Sequence, residues 1–309
     1  MAALRDVTRY RQLAILTTVG VCLLTVAGGI VRLTGSGLGC DDWPNCNSER
    51  FVDVSSGHAA IEQVNRLLSG VIGVPTLLLA ISAFRVRPRV IGLRWPAIGV
   101  LVSVLANGVV GGVAVRTDLH PALVQSHFLL AMVSIAFGVV AAHRSSSSAG
   151  QSSRTTSWRS RPSRLTAALT SLTAIALVTG TVVTGTGPHA GEQDVRRFSF
   201  DISNVARIHS ATVIAALAVA GLLAWTLRGG ADSAAAVRAA LSGWIFVGLL
   251  QSAVGYTQYF NGVPELLVGT HIALATVLWV MTMRLFLMTV ETPTPEYNTK
   301  MMLATTARV

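Results

Sequence analysis

The sequence predicts an all-α integral membrane protein whose eight transmembrane helices form two duplicated four-helix bundles. Three observations carry that expectation. Hydrophobic residues make up 51% of the 309 residues and charged residues only 12%, about half the charged share of an ordinary soluble domain. Eight apolar segments approach or exceed the roughly 20 residues that a helix needs to cross a bilayer. They lie near 12–33, 60–84, 95–115, 122–143, 165–187, 204–227, 238–260 and 265–289. Chemically distinctive residues also recur at one fixed interval, as a duplicated unit requires.

The first segment follows Arg5, Arg9 and Arg11, a pattern shared with secretory signal peptides. Its apolar run continues to about Leu33 without a small-x-small cleavage site, so it is expected to stay as the first helix. No Ser-rich, acid-poor transit peptide precedes it, which points to a bacterial plasma membrane. The second segment is the most ambiguous, because its first turns carry Glu62, Asn65 and Arg66. With the third and fourth segments it completes an N-terminal half at 1–143. Residues 144–164 are rich in Ser and Arg, and such composition marks a flexible linker. Four further segments form a C-terminal half at 165–289, followed by a tail at 290–309.

A net charge of +10 invites a nucleic-acid reading, but its distribution excludes one. With the N-terminus inside, the inner segments and helix ends hold 17 Lys and Arg against 4 acids. The outer ones hold 7 against 10. That bias follows the positive-inside rule and places both termini in the cytoplasm.

The repeat interval is 144 residues. It relates His127 to His271, Asn65 to His209, and Val110-Gly111 to Val254-Gly255. Thr34-Gly35 and Thr184-Gly185 stand 150 apart, so the first outer loop is six residues longer than its counterpart. Histidines inside apolar helices are costly and functional by default, and neutral imidazole is a common axial ligand of haem iron. His209 and His271 each lie near the outer start of a helix, where two helices with one His apiece can clamp a haem. The N-terminal half keeps His127 but offers Asn65, a poor iron ligand, so a haem there is expected to be five-coordinate or to take another sixth ligand. The asymmetry suggests substrate in the first half and a permanent cofactor in the second.

Glu62 and Asn65 share one helical face. Glu62 either faces the cavity of His127, where it orients a substrate or moves a proton, or pairs with Arg66 at i,i+4. Cys40 and Cys46 frame DDWPN in the first outer loop, and outside the cytoplasm such a pair reads as a disulfide. Cys22 reads as a buried, inert thiol. Gly28, Gly29, Gly108, Gly111 and Gly112 either let helices approach closely or form a flat wall for a planar ligand. His58, His120 and His189 are expected in outer loops and His143 at an inner helix end, each facing solvent or headgroups; His58, one turn before Glu62, is a candidate for the missing ligand.

The stretches GGIVRLTGSGLGCDDWPNC at 28–46, IEQVNR at 61–66, HPALVQSH at 120–127, VARIHS at 205–210 and QYFNGVPELLVGTH at 258–271 together resemble the haem A synthase family over residues 12–289. The resemblance implies an oxidoreductase that converts the ring position 8 methyl of haem O to the formyl of haem A for cytochrome oxidase. It assigns His209 and His271 as ligands of a haem b cofactor, and His127 as a ligand of the substrate haem. Glu62 corresponds to the family's functionally important glutamate and Cys40 with Cys46 to its loop cysteine pair. Haem O, membrane lipid, an electron donor and a haem O synthase are the expected partners, and self-association is open. The chain departs from the family's E-x-x-H-R at Asn65, and its second half lacks a loop cysteine pair. The rival expectation is a membrane cytochrome b-type electron carrier, or a haem carrier, without catalysis.

Overall fold

The computed structural model describes residues 2–86, 92–146, 154–156, 160–192, 194–229 and 234–293. Its helices are α1 (Ala2–Leu33), α2 (Gly57–Arg85), α3 (Arg94–Arg116), α4 (Pro121–Arg144), α5 (Arg161–Thr186), α6 (Ile202–Leu227), α7 (Ala235–Phe260) and α8 (Glu265–Val290). All eight are long and apolar enough to cross a membrane, and the chain is a multi-pass membrane protein. Parts of the expected 144–164 linker (147–153 and 157–159) and of the 290–309 tail (294–309) lie outside the described residues. Between them, β1 (Arg154–Thr156) pairs antiparallel with β2 (Glu291–Pro293), beside an ion pair of 2.7 Å from Arg144 to Glu291.

Local chemistry sets the helix starts. Ser56 and Ser160 accept hydrogen bonds from the amides of Ala59 and Ser163, satisfying N–H groups that a helix start leaves free. Pro121 opens α4 and Pro264 precedes α8, positions where a missing N–H costs nothing. Asp201 caps α6 by accepting from the Asn204 amide at 2.8 Å. The Ser203 hydroxyl and the Asn204 amide lower the pKa of its carboxyl, so the cap keeps its charge to lower pH than a free aspartate would. The polar start of α2 is accommodated because Arg66 Nη2 meets Glu62 Oε1 at 2.6 Å.

Helices α1 to α4 pack in a ring, α5 to α8 pack in a second ring, and α1, α4, α5 and α8 meet at the seam. In each ring the even-numbered helices stand at opposite corners. The solid core lies at the end where α1 begins: Tyr10, Leu79, Leu93 and Val100 in one ring, and Leu169, Leu223, Leu241, Trp244 and Leu285 in the other. The opposite end carries a small cluster of Cys40, Cys46 and Ala59 and is termed the disulfide end below.

Close backbone approach and a few polar bonds hold the seam. A Cβ on Gly29 would meet Ile272 at 3.1 Å, and one on Gly269 would meet Leu33 at 3.3 Å. Trp279 Nε1 donates to the Met132 carbonyl at 2.8 Å and Gln125 Nε2 to Thr181 Oγ1 at 2.9 Å. Trp279→Ala is expected to destabilise the chain by about 3–5 kcal/mol through lost packing. Trp279→Phe, which mainly removes the bond, should cost about 1 kcal/mol. Thermal unfolding midpoints in detergent check that order.

Candidate functional site

His209 lies in the third turn of α6 and His271 in the second turn of α8. Both helices begin at the disulfide end and stand at opposite corners of their ring, so the two imidazoles meet at one depth. Their ring centroids are 6.5 Å apart with planes inclined at 72°. Bare backbone backs each ring. A Cβ built on Gly180 of α5 would lie 3.1 Å from His209 Cε1, and one on Gly255 of α7 would lie 2.9 Å from His271 Cε1. The Thr179 hydroxyl already donates to the Ile175 carbonyl at 2.9 Å. It therefore accepts from His209 Nδ1–H, 3.1 Å away, which leaves Nε2 as the unprotonated nitrogen. His271 Nδ1 is buried without a hydrogen-bond partner, while its backbone carbonyl accepts from Gln251 Nε2 at 3.0 Å.

These residues fit a haem iron. Two metal–imidazole bonds of about 2 Å each, as in zinc–histidine sites, plus the two ring radii span roughly 6 Å, close to the observed separation. An orienting partner on the second ring nitrogen is the usual companion of a ligating histidine. No cluster of three or more His, Cys, Asp or Glu suited to a bare metal ion occurs among the described residues.

The first ring repeats half of this arrangement. His127, in the second turn of α4, donates from Nδ1 to the Asn107 carbonyl at 3.0 Å, again leaving Nε2 free. A Cβ on Gly111 of α3 would lie 2.8 Å from His127 Cε1. At the opposite corner, Asn65 on α2 has a buried Oδ1 with no hydrogen-bond partner. It lines a cavity of about 310 Å³ with Ala27, Ile30, Val31, Ile61, Val64 and Leu68. Glu62 is not among the cavity's lining residues.

Glu62 points instead toward the α1–α2 loop. It is 5% exposed; Oε2 accepts from the Cys40 amide at 2.8 Å and Oε1 from Arg66. Arg66 Nη1 also donates to the carbonyls of Asp42 and Asn45, at 2.8 and 2.9 Å. Cys40 and Cys46 form a disulfide. The Trp43 indole lies over Gly112 of α3, where a Cβ would collide with it, and Arg116 donates to the Trp43 carbonyl. The loop thus covers the disulfide end of the first ring, one residue along α3 from the glycine that backs His127. Of the two sequence readings of Glu62, the structure shows the ion pair with Arg66, extended by a bond into the disulfide loop.

The remaining histidines separate. His58 is exposed, its Nδ1 2.9 Å from Ser36 Oγ. His120 precedes Pro121 at the start of α4, and His143 lies in the last turn of α4. His189, expected in an outer loop facing solvent or headgroups, lies half-buried in the α5–α6 loop and donates from Nε2 to the Val263 carbonyl at 2.7 Å, tying that loop to the start of α8.

Sequence reasoning passed over Arg32, Thr179, Asn107 and the backing role of the glycines. Gly111 and Gly255 were visible as a matched pair 144 apart; Gly28 and Gly108 have open space where a Cβ would stand. Arg32 ends α1 at the seam and donates to the Thr184 carbonyl at 2.6 Å, one turn beyond Gly180. Its Nε is buried without a partner, and Arg197 lies near enough for the two charges to interact.

Eight helices long and apolar enough to cross a membrane, with two imidazoles facing each other near one end, define a multi-pass membrane protein. The family model described as cytochrome oxidase assembly protein (COX15-CtaA) matches residues 11–55 and 50–283, and the chain belongs to that family. It is similar to the Heme A synthase of Geobacillus kaustophilus (strain HTA426), 32% identical over 121 residues, 39% of this chain and 38% of the relative. It is also similar to the Heme A synthase of Bacillus cereus (strain AH187), 33% identical over 127 residues, 41% of each chain. These matches span about two fifths of the length of those curated relatives.

Arg66→Ala leaves Glu62 buried with its charge uncompensated, an arrangement that costs about 3–5 kcal/mol. The expected result is a lower thermal midpoint and faster reduction of Cys40–Cys46 by dithiothreitol, with Arg66→Lys intermediate. Unchanged reduction kinetics would show that the ion pair does not brace the loop.

Proposed function

We propose that the chain is a haem A synthase, an oxidoreductase that converts the ring position 8 methyl of haem O to a formyl group for cytochrome oxidase. The observation that carries this reading is the facing pair His209 and His271, each ring against a glycine, together with His127 alone at the matching depth of the first ring. Family membership and the names of the matched relatives support it. The 144-residue correspondence supports a duplicated origin of the two rings. The charge distribution supports an orientation with both termini and the 144–164 linker in the cytoplasm.

In this reading His209 and His271 would hold a haem b through Nε2, with Thr179 orienting the His209 imidazole. Bound there, a haem b supplies one-electron redox chemistry. His127 Nε2 binds the iron of the substrate haem O, whose farnesyl tail stays in lipid. Two successive hydroxylations of the methyl give a gem-diol, which loses water to become the aldehyde. Each adds one oxygen atom at the expense of an external two-electron oxidant such as dioxygen, whose second oxygen atom leaves as water with two electrons from the donor and two protons. Glu62 shapes the substrate site through its bonds to Cys40 and Arg66, and the loop carrying Trp43 shields the site from water. Arg32 and Arg197, a turn beyond the His209 level, offer positive charge to porphyrin propionates. A haem O synthase and an electron donor are the partners this chemistry requires.

The test is expression with a source of haem O, followed by mass analysis of extracted haems. Haem A is the expected product; haem O persisting unchanged in folded, haem-loaded protein would refute the enzyme. His209→Ala is expected to abolish the low-spin absorption of the haem b. Gly255→Ala, which presses a methyl on His271, should weaken that absorption, while Gly73→Ala, in open space, should leave it intact. Glu62→Ala separates the enzyme from an electron carrier: the enzyme keeps its spectrum and loses product, whereas a carrier keeps both spectrum and electron transfer.

A further inference from the structure

Two arginines converge on the end of α5. Pro188 has no N–H, so the Thr184 carbonyl four residues earlier loses the donor that a continuing helix would supply. Arg32 Nη2 takes that place at 2.6 Å, and Arg197 donates to the Gly187 carbonyl. Arg32 belongs to α1 and so to the first ring, whereas the carbonyl it caps belongs to the second. Loops close over its side chain. The Gly37 amide donates to the Gly191 carbonyl at 3.0 Å, and a Cβ on Gly191 would lie 3.8 Å from Arg32 Cγ.

Capping uses one donor of Arg32 and leaves its charge unanswered. Nε is buried without a hydrogen-bond partner. No ion pair among the described residues includes Arg32, and Arg197, a charge of the same sign, lies near enough to oppose it. A buried cation without a counter-charge is costly, and an anion would complete it. The place of that anion is set by the neighbours. Thr184 stands four residues, roughly 6 Å of helix rise, beyond Gly180, which backs His209. Three residues before Arg32, Gly29 packs on Ile272, the neighbour of His271. Arg32 therefore lies toward the disulfide end from the paired imidazoles, at the seam through which α1 meets the second ring.

We propose that Arg32 and Arg197 form a carboxylate-binding subsite of the second ring, so that the cofactor site in one half of the chain is completed by a residue of the other half. The proposal rests on the reading of His209 and His271 as haem ligands, and goes beyond it by making their site depend on α1. The carboxylates are the propionates of a porphyrin held between the two imidazoles. Arg32 Nε–H is the donor left over once Nη2 holds Thr184, and a charge-assisted bond from it to a carboxylate is among the stronger hydrogen bonds. The two rings are then joined through the ligand as well as by packing at the seam.

The test titrates the purified full-length chain, prepared under haem limitation, with haemin and with haemin dimethyl ester, in which both carboxylates are masked. The readout is the low-spin absorption that His209→Ala abolishes. The native chain is expected to bind haemin about tenfold more tightly than the ester, the worth of one hydrogen bond to a charged group. Arg32→Met should remove most of that preference and leave the affinity for the ester unchanged. It should not lower the thermal midpoint of the haem-free chain, because it removes an uncompensated buried charge. Arg32→Gln, which keeps a donor for the Thr184 carbonyl, should lose the preference in the same way, and Arg197→Gln should lose part of it. Equal loss of haemin and ester binding in both Arg32 variants, with a lower midpoint, would make Arg32 a helix cap only and overturn the proposal. Equal affinity of the native chain for haemin and ester would also overturn it; stabilisation by phosphatidylglycerol of the native chain but not of Arg32→Gln would then assign the two arginines to a lipid phosphate. Absence of a low-spin signal with either porphyrin would overturn both the proposal and the reading beneath it.

Discussion

The structure depends on a constraint imposed by burying an imidazole among apolar helices. The ring needs room that only a bare backbone supplies, and its second nitrogen needs an acceptor. Gly111, Gly180 and Gly255 provide the room; the Asn107 carbonyl and the Thr179 hydroxyl provide acceptors for His127 and His209. With Nδ1 committed, Nε2 is left to meet a ligand. The chemistry of the site is therefore settled by the helix next to each histidine as much as by the histidine itself.

Packing along the helix axes serves the same end. Large side chains such as Tyr10, Leu93, Trp244 and Leu285 close the rings at one end. The histidines occupy the other, where even-numbered helices face each other across the ring. Close packing keeps an interior from deforming, so the closed end holds the helix spacing that the open end needs to admit a planar group. At the seam, Trp279, Gly29 and Gly269 keep the two rings in register, and Arg32 crosses it to Thr184. The α1–α2 loop then covers the first ring, stapled by Cys40–Cys46 and anchored from below by Glu62 and Arg66.

Much of the fold was legible in sequence because bilayer thickness demands long apolar runs, and each expected span corresponds to a helix of the structure. The least certain, α2, owed its ambiguity to Glu62 and Arg66, which neutralise each other within one turn. The depth of His209 and His271 followed from their distance to the helix starts. Other features were not legible, because they depend on which faces meet. Spacing alone left Glu62 divided between cavity and ion pair, and the disulfide loop resolved it. Matched glycines were visible, but that they back the imidazoles was not. The bond from His189 to Val263 joins loops 74 residues apart, and the ladder of Arg154–Thr156 with Glu291–Pro293 joins segments still more distant. No local pattern announces either.

By itself the sequence determined the number of spans and the interval that sets Asn65 against His209, and its charge pattern predicts the sense in which each span crosses. These depend on hydrophobic length, charge and periodicity, which are local or additive properties of the chain. Tertiary structure alone decided that His209 and His271 face each other at 6.5 Å and that Glu62 serves the loop. It also decided that Ile30 and Asn65 share one cavity. Those are distances between separate helices, and they are set by how side chains and bare backbone interlock at each crossing.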